Sequence, residues 1–193
     1  MKRLLVPLCL VLLFLAACSG STGGASSPLP AVAVKEALLP YGEMTYQDFQ
    51  AQTGTDAQLL HAGRFCAPLP EEGVEIVFEA SGTDEDGLLP LLLPQDRPLR
   101  LEGRLDALVD GVAEEMTPDQ LAQALSPTEG SPVPCQLLEG AGTAYYVADQ
   151  YARFQLDRDG DGAGDAALEV ALNSRQAVDP SCTSWLLWEE AGS

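Results

Sequence analysis

An acidic stretch near the C-terminal end carries the residues with the clearest chemical potential. Residues 157–165 read DRDGDGAGD, with aspartates at relative positions 1, 3, 5 and 9, namely Asp157, Asp159, Asp161 and Asp165. Calcium requires several hard oxygen ligands around one centre, and alternating carboxylates on a tightly turning loop supply them. Gly162 permits the sharp turn, and the backbone carbonyl of Ala163 falls at position 7. The four aspartates and Ala163 are therefore predicted to bind Ca²⁺.

The same stretch resembles the Asp-Xaa-Asp-Xaa-Asp-Gly calcium loops of EF-hands and of integrin-type repeat hairpins. It departs from the EF-hand at position 12, where Leu168 replaces the bidentate glutamate. Strand-like sequence flanks it on both sides, so the resemblance to the hairpin type implies direct coordination by Asp165. An ordinary acidic turn is the alternative, because Asp-Gly is a favoured turn dipeptide. A second acidic run, residues 84–87, lacks the alternation and is predicted to be a plain turn.

The N-terminal segment predicts export. A basic start (residues 1–3) precedes an apolar run (4–14), and small residues close the segment at LAAC, residues 15–18. This order is typical of a secretory signal, and the apolar run is too short to span a bilayer, which needs ~20 residues. The LAAC ending resembles the lipobox of bacterial lipoproteins. The resemblance implies cleavage after residue 17, a diacylglycerol on the sulfur of Cys18, and a location in the cell envelope on the extracytoplasmic side.

Residues 18–31 follow as the lipidated cysteine and a Gly/Ser-rich tether. Such a composition predicts a flexible spacer between the folded part and the membrane. Two acyl chains are sufficient for stable anchoring. The membrane is therefore one predicted partner of the chain, reached through its lipid.

The charge balance narrows the class of partner. The chain has 29 acidic and 10 basic residues, a formal net charge of −19. Such a surface repels phosphate backbones, which makes nucleic-acid binding improbable. It attracts cations or a basic protein. The alternative is that the acidity only keeps an exported protein in solution.

The cysteines permit at most one disulfide. Cys9 leaves with the signal and Cys18 is alkylated, so Cys66, Cys135 and Cys182 remain. The odd count leaves one free thiol or three. Cys135 and Cys182 lie in the same C-terminal half and are the preferred pair.

Two segments, residues 36–54 and 105–126, share a pattern that indicates a duplication. Each has two apolar residues, a glycine-containing break, an acid, Met-Thr and a short amphipathic segment. Thr45 and Thr117 are predicted helix N-caps, and Gly54 is predicted to end the first helix. Alternating segments predict strands at residues 74–79, 143–147, 151–156, 167–172 and 183–188.

This helix–loop–helix and meander order resembles the tandem repeats of the β-lactamase inhibitor protein family and of small outer-membrane-assembly lipoproteins. The Met-Thr steps and Gly54 carry the resemblance. It implies an α+β fold of two helix–loop–helix plus antiparallel β-meander units in one compact body. The predicted organisation is a signal peptide (1–17), a tether (18–31), a first half (32–98) and a second half (99–193).

Catalytic signatures are sparse. His61 is the only histidine, and no Gly-Xaa-Ser-Xaa-Gly or Cys-Xaa-Xaa-Cys motif occurs. The expected function is a non-catalytic, calcium-stabilised binding or accessory protein that recognises another exported protein. A cell-envelope hydrolase that uses acidic residues and a spacer protein without a specific partner are the alternatives.

Overall fold

The computed structural model describes residues 32–126, 135–138, 145–147 and 150–188. The described strands are β1 (Ala33–Val34), β2 (Gln58–His61), β3 (Arg64–Pro68), β4 (Val74–Glu79), β5 (Gly82–Thr83), β6 (Pro90–Leu91), β7 (Pro98–Arg104), β8 (Val109–Asp110), β9 (Gln136–Leu137), β10 (Tyr145–Val147), β11 (Tyr151–Asp157), β12 (Ala166–Ala171) and β13 (Thr183–Trp188). The helices are a 3-10 helix (Glu36–Gly42), α1 (Tyr46–Thr53), α2 (Leu105–Leu108) and α3 (Pro118–Leu125).

One antiparallel sheet dominates the molecule. Its strands lie in the order β10-β11-β12-β13-β7-β4-β3-β2, and β9 pairs with the end of β11. Two short pairs, β1 with β8 and β5 with β6, lie outside it. In the centre, Leu186 of β13 stands opposite Leu101 of β7, and Leu101 stands opposite Ile76 of β4. The two predicted halves are thus joined by the pairing of β4 with β7 within a single sheet.

The predicted α+β fold of two helix–loop–helix plus meander units is therefore wrong, since the described residues form a predominantly β structure. The first helix of each predicted pair is too short. Pro40 lies inside residues 36–42, which form a 3-10 helix, because proline lacks the N–H that an α-helix needs. The segment Leu105–Leu108 makes a single turn between β7 and β8.

The second helix of each predicted pair forms as expected. Thr45 accepts from the Asp48 amide and Thr117 from the Gln120 amide, and each pair completes a capping box. Gly54 follows α1 with a left-handed φ of 67°. Both predicted N-caps and the predicted glycine end of the first helix are confirmed.

The core lies between the helices and one face of the sheet. Leu38, Phe49, Leu105 and Leu121 from the helices belong to the same buried cluster as the sheet residues Ile76, Phe78, Leu101, Phe154, Leu168 and Leu186. The other face carries charged pairs, Arg100 with Glu102 and Arg153 with Glu169. No helix in the described part of the chain combines the length and the apolar composition that a bilayer crossing requires.

Candidate metal centre

The acidic loop connects two strands of the main sheet. Strands β11 and β12 pair in register up to Leu156 and Ala166, and the Asp165 amide donates to the Leu156 carbonyl at 3.2 Å. Gly160 and Gly162 have φ values of 81° and 87°, a region that L-residues rarely adopt. The pairing of β11 with β12 therefore fixes the two ends of the loop, and the two glycines permit its tight turns.

Three of the predicted ligands come together. Asp157, Asp159 and Asp161 each offer a carboxylate oxygen, and these oxygens all lie within 4.8 Å of one another. Asp157 is half-buried, whereas Asp159 and Asp161 are exposed. Oxygen-rich clusters of this kind suit hard cations. The three aspartates can hold a metal ion.

Backbone amides hold the three carboxylates in place. Asp157 accepts from the amides of Gly160 and Gly162, at 2.7 and 2.9 Å. The Asp161 amide donates to Asp159 Oδ1 at 3.1 Å, and the Ala163 amide donates to Asp161 Oδ1 at 2.7 Å. These donors offset part of the repulsion among the three negative charges.

Asp165 lies outside this group of three. Its Oδ1 accepts from the Arg158 amide at 2.8 Å, and its Oδ2 lies 3.4 Å from Arg158 Nε. Burial raises the pKa of Asp165, the contacts with Arg158 oppose that rise, and the negative charges of Asp159 and Asp157 add to it. Arg158 therefore engages both oxygens of Asp165, one through its amide and the other through its guanidinium.

Arg158 also ties the loop to the rest of the protein. Its guanidinium lies 3.2 Å from Glu43 Oε1 and 5.9 Å from the ring centroid of Trp188. The Trp188 ring lies directly against Gly42, where a Cβ would approach ring carbons to 2.6 Å. The contacts of Arg158, Glu43 and Trp188 were not predicted, because they join segments far apart in the chain.

The other acidic run forms a turn, as predicted. Asp84 Oδ1 accepts from the amides of Leu88 and Leu89 at 2.7 and 3.0 Å, within the β5–β6 connection. These backbone hydrogen bonds lower the pKa of Asp84. Its carboxylate satisfies local amides and forms no cluster with Asp86 among the described residues.

The predicted disulfide is not formed in the structure. Cys66, Cys135 and Cys182 are all free thiols. The Cys135 amide donates to the Arg158 carbonyl at the end of β11, whereas Cys182 precedes the first residue of β13. Leu156 of β11 pairs with Ala166 of β12, and Ala166 pairs with Trp188 at the far end of β13. Cys135 and Cys182 are therefore separated along the strand direction by the length of β13, about 17 Å at ~3.4 Å per residue. A disulfide requires Cα atoms within about 7 Å.

Cys18 and the lipobox-like residues lie outside the described residues.

Comparison with known proteins finds no matching family model, no matching curated protein and no matching solved structure. The fold and the site define a predominantly β protein with an acidic hairpin that can hold a metal ion.

Proposed function

We propose that this chain is a lipid-anchored, exported, non-catalytic binding protein whose acidic hairpin takes up Ca²⁺. The observation that carries the proposal is the cluster of Asp157, Asp159 and Asp161, with carboxylate oxygens within 4.8 Å of one another. An ordinary turn needs only one such carboxylate, as Asp84 illustrates in the β5–β6 connection.

Calcium fits this cluster better than the other common protein metals. The three side chains offer oxygen ligands alone, whereas zinc and the later transition metals favour nitrogen and sulfur. Calcium tolerates irregular geometry and exposed loops, whereas Mg²⁺ demands near-ideal octahedral coordination. Sites of this kind in extracellular proteins have Kd values of about 10⁻⁴–10⁻³ M, which suits an exported protein.

The bound ion would have a structural role. It would offset the charges of Asp157, Asp159 and Asp161 and fix the loop between β11 and β12. The same loop carries Arg158, which contacts Glu43 and Trp188. Order in the hairpin is thereby linked to the 3-10 helix and to the end of β13.

The location follows from the N-terminal residues. A basic start, a short apolar run and LAAC at residues 15–18 support export and lipidation at Cys18. The net charge of −19 favours a partner with basic residues among other exported proteins. Mass spectrometry of the chain from membrane fractions tests the anchor. A diacylglycerol on Cys18, lost in Cys18→Ser, is expected, whereas an uncleaved and unmodified N-terminus would contradict it.

Calcium binding is tested by titration calorimetry of the mature chain with CaCl₂ and MgCl₂. Saturable binding of Ca²⁺ stronger than that of Mg²⁺ is expected. Asp159→Asn should weaken it about tenfold or more by removing a ligand charge. Asp86→Asn is the matched control, because it removes an exposed carboxylate in the other acidic turn and should leave the Kd unchanged. Equal weakening by both variants would contradict a specific site.

A further inference from the structure

A cavity of about 930 Å³ opens beside the acidic hairpin. Residues 159–165 of the loop contribute one side, and residues 79–81 and 96–99, where β4 ends and β7 begins, contribute another. Gly42, Glu43, Arg158 and Trp188 complete the lining. The volume is in the range of pockets that take a ligand of several residues or rings rather than a single ion.

Three of the six carboxylates in this lining are already engaged by groups of the protein itself. Asp96 is 6% exposed and accepts from the Ser81 amide, the Ser81 hydroxyl and the Leu93 amide. Asp165 and Glu43 are engaged by Arg158. Asp96 is therefore buried and hydrogen-bonded, and the other two carboxylates are paired with an arginine.

Three other carboxylates of the lining remain available to a ligand. Glu79 is exposed at the end of β4, with no ion-pair partner among the described residues. Asp159 and Asp161 are exposed on the loop. The lining contains two basic residues, Arg97 and Arg158. Arg158 already contacts Glu43 and Asp165, so Arg97 alone opposes the three available carboxylates. The available charge in the cavity is therefore negative.

A guanidinium already lies on one wall. Arg158 lies 5.9 Å from the Trp188 ring centroid and 3.2 Å from Glu43 Oε1, so an aromatic face and a carboxylate hold a cation there. A basic side chain of a polypeptide ligand would supply a further cation for the exposed carboxylates of Glu79, Asp159 and Asp161.

We propose that this cavity binds a lysine- or arginine-bearing polypeptide segment, with the basic side chain between Glu79 and the acidic loop. The proposal rests on the proposed function, for which it names the partner-binding surface and the chemistry of the partner. A folded protein can present such a segment on a loop or a terminus. The cavity charge, together with the acidic surface around it, favours the encounter.

Calcium and the basic segment compete for the same charge. Asp159 and Asp161 belong both to the metal cluster and to the cavity lining. A divalent ion on the cluster reduces the negative potential that attracts a basic side chain. By linkage, the basic segment weakens calcium binding by the same factor.

The test measures binding of a fluorescent tetralysine peptide to the mature chain by anisotropy, in EDTA and at low salt. Glu79→Gln is expected to weaken binding about fivefold, since one close charge pair is lost. Glu114→Gln removes an equal charge at an exposed position outside the cavity, and it should leave the Kd within about 1.5-fold of the parent value. Equal weakening by both variants would mean that the whole acidic surface attracts the peptide, and would overturn the proposal, as would the absence of binding.

Calcium calorimetry of the same Glu79→Gln variant separates this proposal from the calcium site. Glu79 lies outside the metal cluster, so Glu79→Gln should keep the parent Kd for Ca²⁺. Peptide binding that depends on Glu79 in a chain that binds no Ca²⁺ would leave the cavity proposal standing and remove the metal. Calcium binding without any peptide binding would overturn the cavity proposal and leave the calcium site standing.

Discussion

Arg158 contacts Asp165 through both its backbone and its side chain. The Arg158 amide donates to Asp165 Oδ1 at 2.8 Å, and Arg158 Nε lies 3.4 Å from Asp165 Oδ2. Position 2 of the acidic loop thus holds the carboxylate at position 9, which the sequence pattern assigns to the metal. A cation bound by the predicted set of four aspartates would therefore compete with Arg158 for the carboxylate of Asp165.

Replacing Arg158 should strengthen calcium binding. Arg158→Met keeps much of the aliphatic stem against Trp188 but removes the positive charge beside the aspartates. We expect the Kd for Ca²⁺ to fall about threefold to tenfold, because a repelling charge is lost and Asp165 is released. Calorimetry of the variant in CaCl₂ measures this. A Kd for Ca²⁺ that rises or stays unchanged would show that the contact between Arg158 and Asp165 stabilises the fold without affecting calcium binding.

Gly42 should tolerate no side chain. A Cβ on Gly42 would lie 2.6 Å from two carbons of the Trp188 ring. Gly42→Ala is expected to lower the free energy of unfolding by about 1–3 kcal/mol, as is typical of overpacking. Denaturant unfolding measures the loss. In a Trp188→Phe background, where the ring is smaller, the same change should cost less, and additive costs would argue against the contact.

Asp96 should be needed as an acceptor. It is buried, and its two oxygens accept three hydrogen bonds from Ser81 and Leu93. Asp96→Asn replaces one acceptor oxygen by a donor, and we expect a loss of about 1–3 kcal/mol in unfolding free energy. Asp86→Asn, on the exposed turn nearby in sequence, serves as the control and should unfold like the parent. Equal stability of all three chains would rule out this role.

Cys135 should be the least reactive thiol of the described part. Burial above all, and then the charges of Asp165 and Asp157, raise the pKa of Cys135 to about 12, and the charge of Arg158 opposes this rise. Because the unfolded thiol ionises near pH 9 and the folded thiol does not, the free energy of unfolding should fall as the pH rises from about 9 to 12.

Labelling with iodoacetamide at pH 8.5, followed by peptide mass spectrometry, checks the reactivity. Cys135 is expected to react about tenfold or more slowly than the half-buried Cys182 in the folded chain, and at a similar rate in denaturant. Equal rates in the folded chain would contradict its burial.

Local sequence signals predicted local structure well. The alternation in residues 74–79 and 183–188 matches β4 and β13, and the turn residues at 159–162 lie between β11 and β12. The capping threonines, Thr45 and Thr117, were predicted from the Met-Thr steps because capping depends on residues three positions apart. Each of these signals is complete within a short stretch of chain.

Long-range pairing could not be predicted in the same way. Strand β13 lies beside β7, and no local pattern states that residue 186 will face residue 101. The apparent duplication therefore suggested two units where the chain forms one sheet. In the site, the spacing of aspartates predicted the cluster at residues 157, 159 and 161, but the contacts of Arg158 with Glu43 and Trp188 depend on the tertiary fold.

The most direct test of the central claim is thermal unfolding of the mature chain with and without CaCl₂. At a concentration of about 100 times the Kd, bound calcium should stabilise the fold by ~2.7 kcal/mol, or about 5–10 °C in Tm. The Asp157→Asn/Asp161→Asn double variant should show no such rise. A Tm that is insensitive to calcium in the parent chain, or that rises equally in the double variant, would contradict a calcium site in the hairpin.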